Sequence, residues 1–213
     1  MSKSSTPVDE RLFAFLAART IPEDRLLAEL RRAAAAAGLP EIHIAPEQAA
    51  FLQLLLRATG ARTVVEVGTL GGYSAIVMAR GLPADGRVIT HEIEPRHAEF
   101  ARQWIAGSDQ AGKIEVRVGD AATTLSKVPD DTVDAVFLDA DKAGYVVYLQ
   151  QAMRMLRRGG VVLADNVLAD GDVANGSSAT AVAMRAFLDA AAACGLPGVI
   201  VPLGDGCWFG VKG

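Results

Sequence analysis

Cysteine is scarce in this chain of 213 residues, which has only Cys194 and Cys207. Two thiols cannot build the disulfide framework of a small secreted domain, and their spacing is not that of metal-binding cysteines. The plain reading is two small buried thiols. Histidine is almost as rare: His43, His91 and His97 lie scattered, with no HExxH or HxxxH pattern, which argues against a zinc-type site. Aromatic residues make up 6% of the chain, too little for a platform on which bases stack. Positive charge is also short, with 21 Lys and Arg against 25 Asp and Glu and a formal net charge of -4. A nucleic-acid surface shows the opposite balance. No run of about 18 apolar residues is present to cross a bilayer. Residues 1–10 are polar and carry no apolar core of a secretory signal. A cytoplasmic protein with neither a nucleic-acid nor a membrane partner is expected.

What the chain does have is apolar material, 51% against 22% charged residues. That composition excludes global disorder, and a chain of this size buries roughly 70% of its unfolded surface around one core. A single domain over residues 1–213 is expected, with helices over 1–60 and an α/β core over 61–213. Apolar periodicity predicts helices over Val8–Arg19, from Pro22 through Ala33–Ala37 to Gly38, and from Pro46 to Gly60. After residue 62 the pattern changes to short β-branched runs: Thr63–Val67, Arg87–His91, Ile114–Val118, Val133–Leu138 and Gly160–Ala164. Helical stretches alternate with them at Tyr73–Gly81, Pro95–Ala106, Ala121–Lys127 and Ala143–Arg157. This alternation predicts a mostly parallel sheet covered on both faces. Gly198–Leu203 and Gly206–Val211 flank Gly204-Asp205 as in a hairpin, so the last strand should run antiparallel. Val167–Thr180 is rich in Gly, Asp, Asn and Ser and is long for a connection, which makes it a candidate lid.

The strand Thr63–Val67 leads into Gly68-Thr69-Leu70-Gly71-Gly72-Tyr73-Ser74 and then a helix. Glycines at the carboxyl end of such a strand let a ligand approach the backbone. Their spacing fits neither GxGxxG nor a P-loop, which weighs against a nicotinamide-dependent oxidoreductase and a triphosphate enzyme. Alone, the cluster reads as a tight turn. Two acids change that reading. Glu66 ends the first strand, where a carboxylate is costly without a partner, and could receive a ligand ammonium. Glu92 ends the next strand, where an acid typically accepts hydrogen bonds from ribose hydroxyls. S-adenosylmethionine (SAM), an adenosine bearing an amino-acid tail, satisfies both.

A second set of acids ends the later strands. Leu138-Asp139-Ala140-Asp141-Lys142 follows one strand and Asp165-Asn166 the next. Asp139, Asp165 and Asn166 can converge at one rim as hard oxygen donors for Mg²⁺, Mn²⁺ or Ca²⁺; without a cation the acids would repel one another. The alternative is a set of solvated loop acids and turn caps. A cation beside Lys142 would favour its neutral amine, suited to work as a base. An ion pair with Asp139 or Asp141 is the plainer role, and the residues alone leave both open.

Together these stretches resemble the cation-dependent O-methyltransferases, the family of catechol and caffeoyl-CoA O-methyltransferases. The residues that carry the resemblance are Ile44-Ala45-Pro46-Glu47-Gln48, Val65–Gly68, Gly72-Tyr73-Ser74, Gly119-Asp120-Ala121, Phe137–Lys142, Tyr145, Gly159-Gly160, Asp165–Leu168 with Gly171, and Asp205-Gly206. It spans Val8 to Lys212. It implies a Rossmann-like SAM methyltransferase fold with a seven-stranded, mostly parallel sheet, an antiparallel last strand and an N-terminal helical cap. It also implies that Glu66, Gly68, Thr69, Ser74 and Glu92 contact SAM and that Ile44, Ala121 and Asp141 line the cofactor. Asp139, Asp165 and Asn166 would hold the cation and Lys142 would take a proton from a vicinal aromatic diol. A homodimer, with the N-terminal helices at its contact and over the substrate, is implied as well. Three stretches depart from the family pattern: His43 stands where Gln is common, Asn175–Arg185 follows the usual loop and helix loosely, and Ala190–Leu196 replaces a polar-aromatic stretch. All touch substrate recognition more than the methyl donor. Tyr145, Tyr148 and Trp208 could line an acceptor pocket, though core packing is the simpler role for each. A SAM-binding module without catalysis is disfavoured by the intact acid set and Lys142.

Overall fold

Runs of β-branched residues, each ending in glycine or an acid, set up the centre of the molecule. The computed structural model describes residues 8–213. Its strands are β1 (Thr63–Val67), β2 (Arg87–Glu92), β3 (Ile114–Val118), β4 (Val133–Leu138), β5 (Leu156–Ala164), β6 (Gly198–Val201) and β7 (Cys207–Val211). They form one Rossmann-like sheet in the order β3-β2-β1-β4-β5-β7-β6. β1 to β5 pair in parallel, whereas β7 runs antiparallel to both β5 and β6. The chain builds outward from β1 on one side and from β4 on the other, and open α/β sheets bind ligands outside the carboxyl ends of the strands at such a switch point.

The helices are α1 (Glu10–Ala17), α2 (Arg25–Ala36), α3 (Pro46–Thr59), α4 (Tyr73–Gly81), α5 (Pro95–Ala106), α6 (Ala121–Thr124), α7 (Tyr145–Met155) and α8 (Ala179–Ala193). Local chemistry sets their ends. Asp24 Oδ1 accepts from Leu27 N at 2.9 Å, so α2 starts at Arg25 and not at Pro22. Pro46 and Pro95 occupy first-turn positions, and Gly60, at φ 64°, closes α3 in the left-handed conformation. The sheet separates two apolar layers. Alternation along β1 sends Val64 to the layer of α2–α5, and Val65 and Val67 to that of α6–α8. The central strands are buried on both faces, as a parallel sheet with helices on each side requires.

Several expected boundaries move. α1 is shorter than Val8–Arg19 and buries none of its residues; the expectations for residues 1–7 lie outside the described part. α7 stops at Met155, and Leu156 and Arg157, expected as the helix end, belong instead to β5, which starts with Leu156 paired to Val133 and so runs four residues ahead of the expected Gly160. The helix expected over Ala121–Lys127 is a four-residue α6 followed by a 3₁₀ turn. The final hairpin closes through residues 202–206 rather than a two-residue turn, with Gly204 and Gly206 both at positive φ. Among the described residues no helix is long and apolar enough to cross a membrane.

Candidate active site

A cavity of about 630 Å³ opens where β1, β2, β4 and β5 end. Its floor is the glycine turn. Gly68 has φ 99°, and a Cβ there would lie 1.8 Å from the Asp139 carbonyl oxygen. The backbone that needs this glycine is therefore the end of β4 itself, drawn close by the hydrogen bond from Asp139 N to Val67 O at 2.9 Å. Glu92 holds the turn from β2: Oε2 accepts from Thr69 N at 3.1 Å and Leu70 N at 2.8 Å, and Oε1 from Glu94 N at 3.0 Å. Glu92, Gly68, Thr69 and Ser74 all line the cavity.

Glu66 sits deeper and is not among the lining residues. Ser74 Oγ, which does line the wall, donates to Glu66 Oε1 at 2.5 Å, while the buried Oε2 has no partner. Burial pushes this carboxyl up from an ordinary 4.5 to about 8; the hydrogen bond from Ser74 pulls the other way, and the charges of Asp139 and Glu92 push further up. The empty acceptor Oε2, beneath a cavity wall, is suited to a cationic ligand group.

Parallel pairing of β4 with β5 matches Leu138 with Ala164, which sets Asp139 and Asp165 side by side. Asn166 follows at φ 58° and also lines the cavity. Burial, and then the charge of Asp139, raises Asp165 from 3.8 to about 6. Burial raises Asp139 as well, against the pull of Lys142. The pair is thus short of positive charge. Lys142 Nζ lies 3.4 Å from Asp139 Oδ1 and donates to Tyr145 Oη at 2.8 Å. Tyr145 in turn faces the carbonyl oxygens of Leu138 at 3.0 Å and Asp165 at 3.1 Å, to either of which its hydroxyl can donate. Among the described residues no group of three His, Cys, Asp or Glu side chains is arranged to hold a metal; the rim offers two carboxylates and the Asn166 amide.

The remaining expected residues also come to this cavity. Ile44, Ala121 and Asp141 line it. Asp141 accepts from Tyr148 Oη at 2.6 Å and Gly144 N at 2.9 Å, so both of its oxygens are engaged. His43 lines the wall with a buried, unpartnered Nε2 and packs edge-on to Tyr73; burial, more than Arg31, lowers its pKa. Of the possible acceptor-pocket aromatics only Tyr148 lines the cavity. Trp208 instead stacks edge-on against Phe187 at 5.4 Å in the core.

The stretch Val167–Thr180, expected as a lid, contributes nothing to the lining. It is tied down by Val167 N to Gly206 O at 3.1 Å, Leu168 N to Asp205 O at 3.0 Å, and Arg185 to the carbonyls of Val173 and Gly176. The wall is built instead from Pro40, Ile42–Ala45 and the Gly204-Asp205 turn. Sequence reading also missed Gln48 as a site residue: its Nε2 donates to Asp165 Oδ1 at 2.7 Å across 117 positions of chain. Its place in the Ile44–Gln48 stretch was the available signal, and no periodicity reveals such a contact.

The family model described as O-methyltransferase matches residues 17–212. A catechol O-methyltransferase of Mycobacterium tuberculosis is 43% identical over 189 residues, covering 88% of this chain and 85% of that protein. A catechol O-methyltransferase of Niastella koreensis is 40% identical over 159 residues, 73% of this chain and 72% of that one. Among solved structures, a cofactor-bound MTB protein matches with a TM-score of 0.89 at 39% identity, covering 97% of this chain and 98% of the other. The O-methyltransferase from Bacillus cereus in complex with SAH matches with a TM-score of 0.86 at 34% identity, covering 93% and 96%.

Proposed function

The chain belongs to the O-methyltransferase family as a SAM-dependent enzyme, and on that premise we propose that it methylates one hydroxyl of a vicinal aromatic diol with the help of a divalent cation. The observation that carries the reading is the pair Asp139 and Asp165, side by side at adjacent strand ends, both raised in pKa, with Lys142 Nζ 3.4 Å from one of them. Two neighbouring carboxyls whose ionised forms are disfavoured by burial suit a cation, and Asn166 adds a third oxygen donor of the hard class that suits Mg²⁺, Mn²⁺ or Ca²⁺. The catechol names of the relatives at 43% and 40% identity support the acceptor class.

In this proposal Asp139, Asp165 and Asn166 would hold the cation. When bound, the cation makes two neighbouring hydroxyls more acidic and SAM offers its sulfonium methyl. Lys142 accepts the hydroxyl proton at Nζ, and Tyr145 positions that nitrogen through its 2.8 Å contact. Glu66 supplies negative charge for the methionyl ammonium from beneath Ser74, and Glu92 faces the ribose. Gly68 and Thr69 contribute the close backbone, while Ile44, Ala121 and Asp141 line the remaining wall. The largely buried rim would keep water from the reacting oxygen, which would favour a methyl transfer that disperses charge.

The experiment is a panel of vicinal diols against their mono-hydroxyl analogues with SAM and Mg²⁺. The diols should turn over and the analogues fail, because chelation needs both oxygens; equal turnover of a mono-hydroxyl analogue contradicts the reading. A homodimer contacting through α1, which exposes Phe15 and Leu16, is a further proposal, and sedimentation as a monomer at micromolar concentration removes it.

A further inference from the structure

We propose that Gln48 is a positioning residue for the cation site, holding the Asp165 carboxylate in place from the helical layer on the far side of the chain; the inference rests on the cation reading above. Gln48 is 1% exposed and lies in the first turns of α3. Its Nε2 donates to Asp165 Oδ1 at 2.7 Å, a buried contact. Its Oε1 faces the β6–β7 turn closely enough that a Cβ on Gly204 would stand 2.7 Å away. That same turn holds the segment after Asn166, through Val167 N to Gly206 O and Leu168 N to Asp205 O. The amide therefore sits where α3, the end of β5 and the last hairpin meet, with its donor end on Asp165.

A carboxylate at a strand end can rotate about its side-chain bonds. One oxygen fixed by an amide donor removes that freedom and leaves the carboxylate oriented before a cation arrives. An amide suits the task better than a charged donor: a lysine or arginine at this position would compete with the cation for Asp165, and a glutamate would add a third acid. Groups that fix a ligand from behind change metal affinity by roughly 10–100-fold when removed. Because the donor comes from α3, packing of the N-terminal layer is coupled to cation retention.

The test measures Mn²⁺ binding by electron paramagnetic resonance on the full-length protein, without acceptor, in wild type, Gln48→Met and Gln48→Ala. SAH affinity without metal and the thermal midpoint are measured alongside. The methionine variant keeps most of the volume and removes the donor. We expect both variants to bind Mn²⁺ at least about tenfold more weakly with SAH affinity within twofold of wild type, and excess Mn²⁺ to restore kcat with an unchanged KM for SAM. Mn²⁺ affinity equal to wild type in either folded variant overturns the role of Gln48 and leaves the cation reading standing. Parallel loss of Mn²⁺ and SAH affinity, unrescued by excess metal, overturns it in favour of a packing role. Failure of the wild type to bind Mn²⁺ overturns the cation reading and this inference with it.

Discussion

Substituting Glu66 by Gln should make the ligand-free protein more stable and a poorer enzyme, with a stability gain that grows with pH. In the folded chain the carboxyl is held near 8 by burial, against an ordinary 4.5. Between these values the native state keeps a proton that the unfolded state has lost. Wild-type stability from this group is therefore present at about pH 4.5 and below and falls as pH rises toward 8. A glutamine does not titrate, and its Oε1 can still accept from Ser74 Oγ. Linkage from the two values gives a gap between variant and wild type of about 2 kcal/mol at pH 6 and about 4 kcal/mol at pH 8. These are ceilings, because a buried site relaxes around a charge. Urea denaturation in EDTA at pH 5, 6, 7 and 8 reads the gap, and titrating groups that do not feel Glu66 cancel in the difference. The same change removes the charge proposed to face the methionyl ammonium, so SAM binding at pH 8 should weaken at least about tenfold. A gap that does not change between pH 5 and pH 8 refutes the reasoning.

Two further substitutions probe the rim. Gly68→Ala places a Cβ 1.8 Å from the Asp139 carbonyl at φ 99°; left-handed strain alone costs about 1–2 kcal/mol, so the thermal midpoint should fall by at least about 5 °C, and a fall under about 1 °C would contradict the described turn. Tyr145→Phe removes the 2.8 Å partner of Lys142 Nζ; kcat should fall about tenfold, one hydrogen bond's worth, with the KM for SAM unchanged, and an unaltered kcat would mean that Lys142 is positioned without Tyr145.

How much of this was readable in the sequence depended on whether a property is local. Strand β1 was legible to the residue, because β-branched alternation and the following glycine set both of its ends. The convergence of Asp139 with Asp165 was legible because consecutive parallel strands end at the same edge. The end of α7 was not: Leu156 follows the helical apolar rhythm, and only pairing with Val133 makes it strand. Glu66 could be placed at a strand end, but its lying beneath Ser74 follows from the packing of α4. The loop after Asn166 had a lid's composition, and its anchoring by Gly206, Asp205 and Arg185 arises from contacts distant in sequence. The same holds for Gln48, whose partner is 117 positions away.

The central claim, a cation held by Asp139, Asp165 and Asn166 and used in methyl transfer, is tested most directly by turnover of catechol with SAM after removal of metal. Activity should disappear in EDTA, return with Mg²⁺ or Mn²⁺ in excess, and fail to return in Asp165→Ala at the same cation concentration. Turnover that persists in EDTA, or metal-dependent turnover that survives in Asp165→Ala, would contradict it.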